Sequence, residues 1–266
     1  MLETVLYSLS AIAALLPACI LPFKRPDTGR DAMYNIILLV AVIGPVSWAF
    51  ARYTGTWSTG LSTTLWITIA ASMVIFAIST LMTRESWRLT PLVSMYMVIL
   101  GVLATIWSQA PETPMHGPLT TWVGIHIAVS VITYAFVTIG AISALAAFVQ
   151  ERALKTKKPT SLTRLLPSVT DCERLLVRFL AIGQVVLLMG LISGMAVDYT
   201  STGMLLHVDH KTLLSILTFL LIGGLLIAHY RSGLRGRKAT RIVLVAYLLL
   251  TLGYPGVKFV TDVVLG

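Results

Sequence analysis

Eight apolar stretches of roughly twenty residues leave this chain of 266 residues little choice of fold. A helix rising 1.5 Å per residue needs about 20 mostly apolar residues to cross roughly 30 Å of hydrocarbon. The stretches are Thr4–Phe23, Ala32–Ala51, Leu61–Thr83, Leu89–Trp107, Thr121–Gln150, Leu175–Val197, Leu213–Tyr230 and Ile242–Val264. They run as unbroken apolar blocks, without the ten-residue alternation of a membrane β-barrel, so helices are expected. Only 12% of residues are charged against 56% hydrophobic, too little charge to cover a soluble domain. The expected fold is an all-α integral membrane protein, a bundle of about eight transmembrane helices in a lipid bilayer.

A net charge of +9 read alone suggests a nucleic-acid partner. Its distribution argues for the positive-inside rule instead, and no nucleic acid is expected. Lys24, Arg25 and Arg30 follow the first span; Arg84 and Arg88 follow the third. Arg152, Lys155, Lys157, Lys158, Arg164 and Arg174 follow the fifth, and Arg231, Arg235, Arg237, Lys238 and Arg241 the seventh. The intervening loops hold only Arg52 and Lys211. This alternation places the four basic loops in the cytoplasm and both termini on the outer, periplasmic side. The segment Met1-Leu2-Glu3 lacks the positive start of a cleavable signal, so the first stretch is expected to be a span. Cys19 and Cys172 form no CxxC pair and both fall at cytoplasmic ends, where packing is the expected role. The chain is expected to be one polytopic domain, residues 1–107 holding the first four helices and 108–266 the rest. The loop from Arg152 to Arg174, broken by Pro159 and Pro167, reads as a linker between groups of five and three helices.

Four of the five histidines stand at the end opposite the basic loops. His126 opens the fifth span, and Ser130, Thr133 and Tyr134 follow at i+4, i+7 and i+8 as one polar stripe. Such a histidine is either a haem-iron ligand or a hydrogen-bonded interhelical contact. His229 closes the seventh span beside Tyr230 and Arg231, where a ligand, an interfacial anchor or a charge against the helix C-terminus all fit. His207 and His210 flank Val208-Asp209, and His116 lies in the other outer loop. These three are either axial or metal ligands or solvated loop residues. Asp209 either orients an imidazole or caps the seventh helix. Arg178 is expected to snorkel to the interface, and Tyr247 and Tyr254 to act as belt aromatics. Gly190 and Gly194, with Gly183, are expected to permit close helix packing.

Three segments carry a family resemblance. They are HIAVSVITYA from His126, LLPSVTDCERLL with the following IGQVVLLMGLISGM, and VDHKTLLSILTFLLIGGLLIAHYRSGLRGRKA from Val208. Together they resemble the cytochrome c assembly protein family, in its small HemX-like and YpjD-like branch, from about Trp107 onward. The resemblance implies haem handling in a bacterial inner membrane, with haem b as cofactor. It further implies other cytochrome c biogenesis proteins or apocytochrome c as partners. His126 corresponds to an external axial-ligand position of larger relatives, and His229 to a position that ligates haem within the membrane. His207, His210 and His116 then stand as candidates for the opposite axial side. The larger relatives' tryptophan-rich WGxxWxWD motif is replaced here by Thr200 to Lys211, which contains no tryptophan. No histidine follows His229.

The leading expectation is a membrane haem-binding protein that itself makes no bonds and is not an enzyme. A haem-free accessory subunit or small-solute transporter on the same scaffold is the alternative, with His126 and its stripe as a proton or ion path. A metal enzyme at the outer histidines ranks third.

Overall fold

The computed structural model describes residues 2–25, 29–52, 60–109, 120–203 and 209–260. In chain order the helices are α1 (Leu2–Lys24), α2 (Ala32–Arg52), α3 (Leu61–Met82), α4 (Thr90–Ile106) and α5 (Thr121–Thr156). There follow α6 (Ser161–Leu165), α7 (Val169–Thr202), α8 (His210–Ser232), α9 (Arg237–Thr251) and α10 (Val257–Phe259). Eight helices among the described residues are long and apolar enough to cross a membrane, α9 and α10 forming one of them through a π-helical turn over Leu252–Gly256. Pro255 cannot donate to the Thr251 carbonyl, and its ring crowds it, so the helix widens there and Val257 bonds back to Leu252.

Local chemistry fixes the ends. Thr120 caps α5, Ser168 caps α7 and Asp209 caps α8, each through a side-chain oxygen that accepts a first-turn N–H. Gly203 and Gly233 stop α7 and α8 in the left-handed region, at φ of 75° and 66°. Outward faces of α1, α2 and α8 leave large apolar side chains exposed, Ile36, Leu39, Leu213 and Leu220 among them. A water-soluble protein does not carry apolar surface on that scale.

The spine is the α5–α7 pair. At 36 and 34 residues these helices reach about 54 and 51 Å, longer than the hydrocarbon requires. Of the membrane window of α5, 78% is buried, against 17% for α8. One apolar cluster gathers α1–α4 on one side of the spine around Trp66, Met73, Phe76 and Met97. A smaller one gathers α8 and α9 on the other side around Leu180, Ile222, Val243 and Ala246. The expected division into five helices and three therefore needs correction. The packing boundary runs through the spine, because α5 and α7 contribute side chains to both clusters.

The segment read as a linker is a folded corner. Lys157 ends α5 at φ of 55°, and Thr160 and Thr163 form a reciprocal capping box. The Gln150 amide reaches the carbonyls of Thr163, Pro167 and Leu166 at 2.8, 2.9 and 3.2 Å. Cys172 is fully buried at this corner, with its thiol against the Pro167 carbonyl at 3.6 Å, in keeping with a packing role.

Candidate functional site

His126 stands in the second turn of α5 and faces α7. Its Nδ1 lies 3.0 Å from Ser193 Oγ. Ser193 donates its own hydroxyl hydrogen to the Gly190 carbonyl, also at 3.0 Å. The hydroxyl oxygen must then accept, so Nδ1 carries the imidazole proton and Nε2 is left as a lone pair. This is the arrangement in which an outer partner fixes the tautomer of a ligating histidine. The ring lies over Gly194, where a Cβ would come within 3.2 Å of His126 Cε1. Gly183 meets α5 in the same way deeper down, so the glycines serve close packing as expected.

His126 is half-buried, and exposed Trp122 and Ile125 precede it on α5. One side of the imidazole is thus built into the spine, and the ring is half-exposed between apolar neighbours and the Asp198 carboxylate, which acts on it through its charge. The donor set fits one axial position of a haem iron.

The expected polar stripe divides. Thr133 is buried and spends its hydroxyl on the Val129 carbonyl at 2.8 Å. Tyr134 lies about 80° around the helix from His126, given 100° per residue. Its hydroxyl meets Tyr247 Oη and Thr251 Oγ1, each at 3.1 Å. Tyr96 of α4 also bonds the Tyr247 hydroxyl. Tyr247 is therefore an interior hydroxyl joined to two tyrosines, which corrects its reading as a belt aromatic. Nothing in the amino-acid pattern marks Tyr96, because only the fold brings α4 against α9.

His229 occupies the opposite end, near the last turn of α8. Its Nδ1 lies 3.1 Å from the Leu234 carbonyl. A carbonyl only accepts, so here too Nδ1 is the donor, and Nε2 is the nitrogen outside that bond. His229 lines a cavity walled by Leu176, Leu180, Leu225 and Leu226, which the Glu173 carboxylate closes by accepting from the Gly236 N–H at 3.0 Å. The space amounts to about 20 Å3. That admits little more than one water. The donor chemistry at His229 suits iron, but the room for a macrocycle is missing in this arrangement.

His210 is exposed in the first turn of α8, at the His126 end of the bundle. The two candidate histidines of the spine and α8, His126 and His229, are at opposite ends and do not share one iron. His116 and His207 lie outside the described residues. Among the described residues no group of three or more His, Cys, Asp or Glu converges to hold a metal ion.

Asp209 takes the capping role of its two readings, its carboxylate accepting from Thr212 N at 2.8 Å. Burial pushes this carboxyl up, but the Thr212 hydrogen bonds and the Lys211 and His210 charges outweigh it and hold the group below its ordinary value. Arg178, expected to snorkel to the interface, is exposed and donates to Thr83 Oγ1 at 2.9 Å, which ties α7 to the end of α3. Gln184 donates to the Phe219 carbonyl at 3.0 Å, which fastens α8 to the spine.

Comparison with known proteins places this geometry in a family. The chain is 53% identical, over the full length of both, to an uncharacterised 28.8 kDa protein of Azospirillum brasilense. It is 30% identical to the inner membrane protein YpjD of Escherichia coli K12, across 73% of each chain. No solved structure matches. The family described as cytochrome C assembly protein matches residues 32–265, which takes in α2–α4 as well as the segments that carried the resemblance. This chain belongs to the cytochrome c assembly protein family.

Proposed function

We propose that the protein handles haem b during cytochrome c biogenesis. It would span a bacterial inner membrane eight times, with both termini outside and the basic loops in the cytoplasm. The observation that carries the reading is the His126 imidazole, whose Nδ1 is engaged by Ser193 so that Nε2 is the nitrogen left to ligate. Haem, when bound, would supply an iron that the neutral His126 imidazole would ligate.

Every other task falls to residues of this chain. Ser193 keeps the proton on Nδ1 and Gly194 gives the ring room, and exposed Trp122 and Ile125 at the head of α5 would offer apolar surface to the group. His210, exposed at the same end, is the described candidate for the opposite axial side, and His207 and His116 are the others. His229 is a second-rank ligand, since the cavity it lines holds only about 20 Å3. No bond-making step is assigned to the chain. Other cytochrome c biogenesis proteins, or apocytochrome c, would receive the haem. The inner-membrane placement is supported by the Escherichia coli relative, and the orientation by the charge alternation of the loops.

The hydroxyl chain of Tyr96, Tyr134, Tyr247 and Thr251 favours a second reading, a haem-free accessory subunit or small-solute transporter. Absorption spectra of the purified protein in detergent separate the two. The expected result is a reduced b-type haem spectrum that disappears in His126→Ala and survives in His229→Ala. A colourless wild type that also fails to take up added haem overturns the haem reading in favour of the second.

A further inference from the structure

At the basic end of the bundle, α5 and α9 enclose a groove of about 530 Å3, open on one side. Along α5 its lining passes from Leu145 and Phe148 to Arg152 and Lys155. Along the antiparallel α9 it passes from Leu244 to Arg241 and Arg237. Each wall changes from apolar to cationic over seven to ten residues, a distance of about 10–15 Å. No carboxylate lines the groove. Glu151, beside it, pairs with Lys155 and stands 3.9 Å from Arg237. Arg152 and Arg241 have no carboxylate partner among the described residues.

We propose that this groove binds an anionic phospholipid, its phosphate held by Arg152 and Arg241 and its upper acyl chains lying on Leu145, Phe148 and Leu244. The size falls within the roughly 300–1,000 Å3 of small-molecule sites. Two unpaired guanidiniums facing one cleft supply charge-assisted, bidentate bonds of the kind that phosphate oxygens take. The apolar floor selects the amphiphile over a soluble phosphate. Leu145 and Leu244 are each 40% exposed, a surface that a soluble anion would leave against water. The height also agrees, because the cations mark the level at which helix leaves hydrocarbon, where headgroups lie. The site involves neither His126 nor His229 and stands whether or not the chain carries haem.

The test compares the full-length protein in nanodiscs of pure phosphatidylcholine with the same discs containing a fraction of phosphatidylglycerol. Readouts are thermal unfolding and native mass spectrometry of lipid retained after delipidation. The wild type is expected to retain phosphatidylglycerol preferentially and to melt higher in its presence. Arg152→Gln with Arg241→Gln should lose about ten- to thirtyfold of that preference, on the usual contribution of a cation near anionic lipid. Arg84→Gln with Arg231→Gln removes the same charge outside the groove and should leave the preference intact. Melting in pure phosphatidylcholine shows whether each variant is folded. Equal losses in both double variants would mean diffuse attraction and overturn the site, as would a wild type indifferent to headgroup charge. Protection by soluble glycerol phosphate equal to that by the lipid would overturn the amphiphile.

Discussion

The two flanks of the α5–α7 spine are built from the same kind of helix yet are organised differently. On the α1–α4 flank, Trp66, Phe76, Met73 and Met97 are wholly buried in one continuous apolar cluster. Some of its interior polar groups are paired, as when Trp48 donates to Ser8 Oγ at 3.1 Å, whereas Trp66 Nε1 and the Ser72, Ser86 and Ser94 hydroxyls are buried without a partner among the described residues. The α8–α9 flank has a smaller cluster, the three-tyrosine hydroxyl chain, the His229 cavity and the groove with its arginines. His126 lies on the helical face of α5 that continues, 11 and 18 residues on, into Val137 and Ala144 of that same flank. The second flank borders the His126 and His229 imidazoles and the arginine-lined groove, and its helix α8 is only lightly buried. We read the first flank as scaffold and the second as the working side.

The sharpest way to break this comparison is to damage the scaffold alone. A Cβ on Gly44 would stand 2.5 Å from Ala14 Cβ, with α1 backbone just behind it. Gly44→Val should therefore force α2 off α1 at a cost of about 3 kcal/mol, the upper range for overpacking. Thermal unfolding should record the loss, while the haem spectrum of the folded fraction stays that of the wild type. A changed spectrum would mean that the flanks are coupled through the spine.

On the working side, Ser193→Ala removes the acceptor of His126 Nδ1 without touching the ligand itself. Haem retention should fall about ten- to a hundredfold, the usual penalty for losing an orienting partner. Competition for haem with an apo-globin measures it. Retention equal to wild type would make Ser193 a bystander. A smaller effect is expected of Tyr247→Phe, which removes the hydroxyl shared by Tyr96 and Tyr134. Tyr134 keeps Thr251, so one hydroxyl is stranded and the cost should be about 1–2 kcal/mol. Unchanged melting would show that water replaces the lost bond.

How much of this could be read in the chain follows the range of each interaction. Apolar length alone marked all eight spans, and the glycine spacing of the sixth long helix, α7, foretold close helix packing there. His126 was visible because a histidine in an apolar helix is conspicuous. What the sequence hid were pairings between distant segments. Ser193 is 67 residues from His126, and Tyr96 is 151 from Tyr247. Neither pairing leaves a periodic trace, since a single serine or tyrosine on an apolar helix has many equivalent explanations. The stripe from His126 to Tyr134 misled for a related reason. Residues at i and i+8 share a face only loosely, and here one turned to α7 and the other to α9. Helix length also proved hard to read. Hydropathy ends with the hydrocarbon, whereas α5 runs on to Thr156 and α7 begins at Val169.

The smallest effect concerns the entrance to the working side, where Asp209 caps α8 one residue before His210. Asp209→Ala removes the acceptor for Thr212 N and should cost about 1 kcal/mol. Asp209→Asn keeps an acceptor oxygen but no titration, so the difference between wild type and this variant isolates the charge. The folded carboxyl lies below its ordinary value. A depressed carboxyl contributes stability that is complete above the unfolded value, near pH 4, and that disappears as pH falls through the folded one. The melting difference between wild type and Asp209→Asn should thus be steady at neutral pH and shrink toward zero in acid. Its sign at neutral pH favours the wild type, because the carboxylate also answers the partial positive charge at the helix start and the Lys211 charge beside it. A difference that persisted unchanged at pH 3 would mean that the cap acts through geometry alone. His210 would then begin the working side next to a group whose charge has no influence on it.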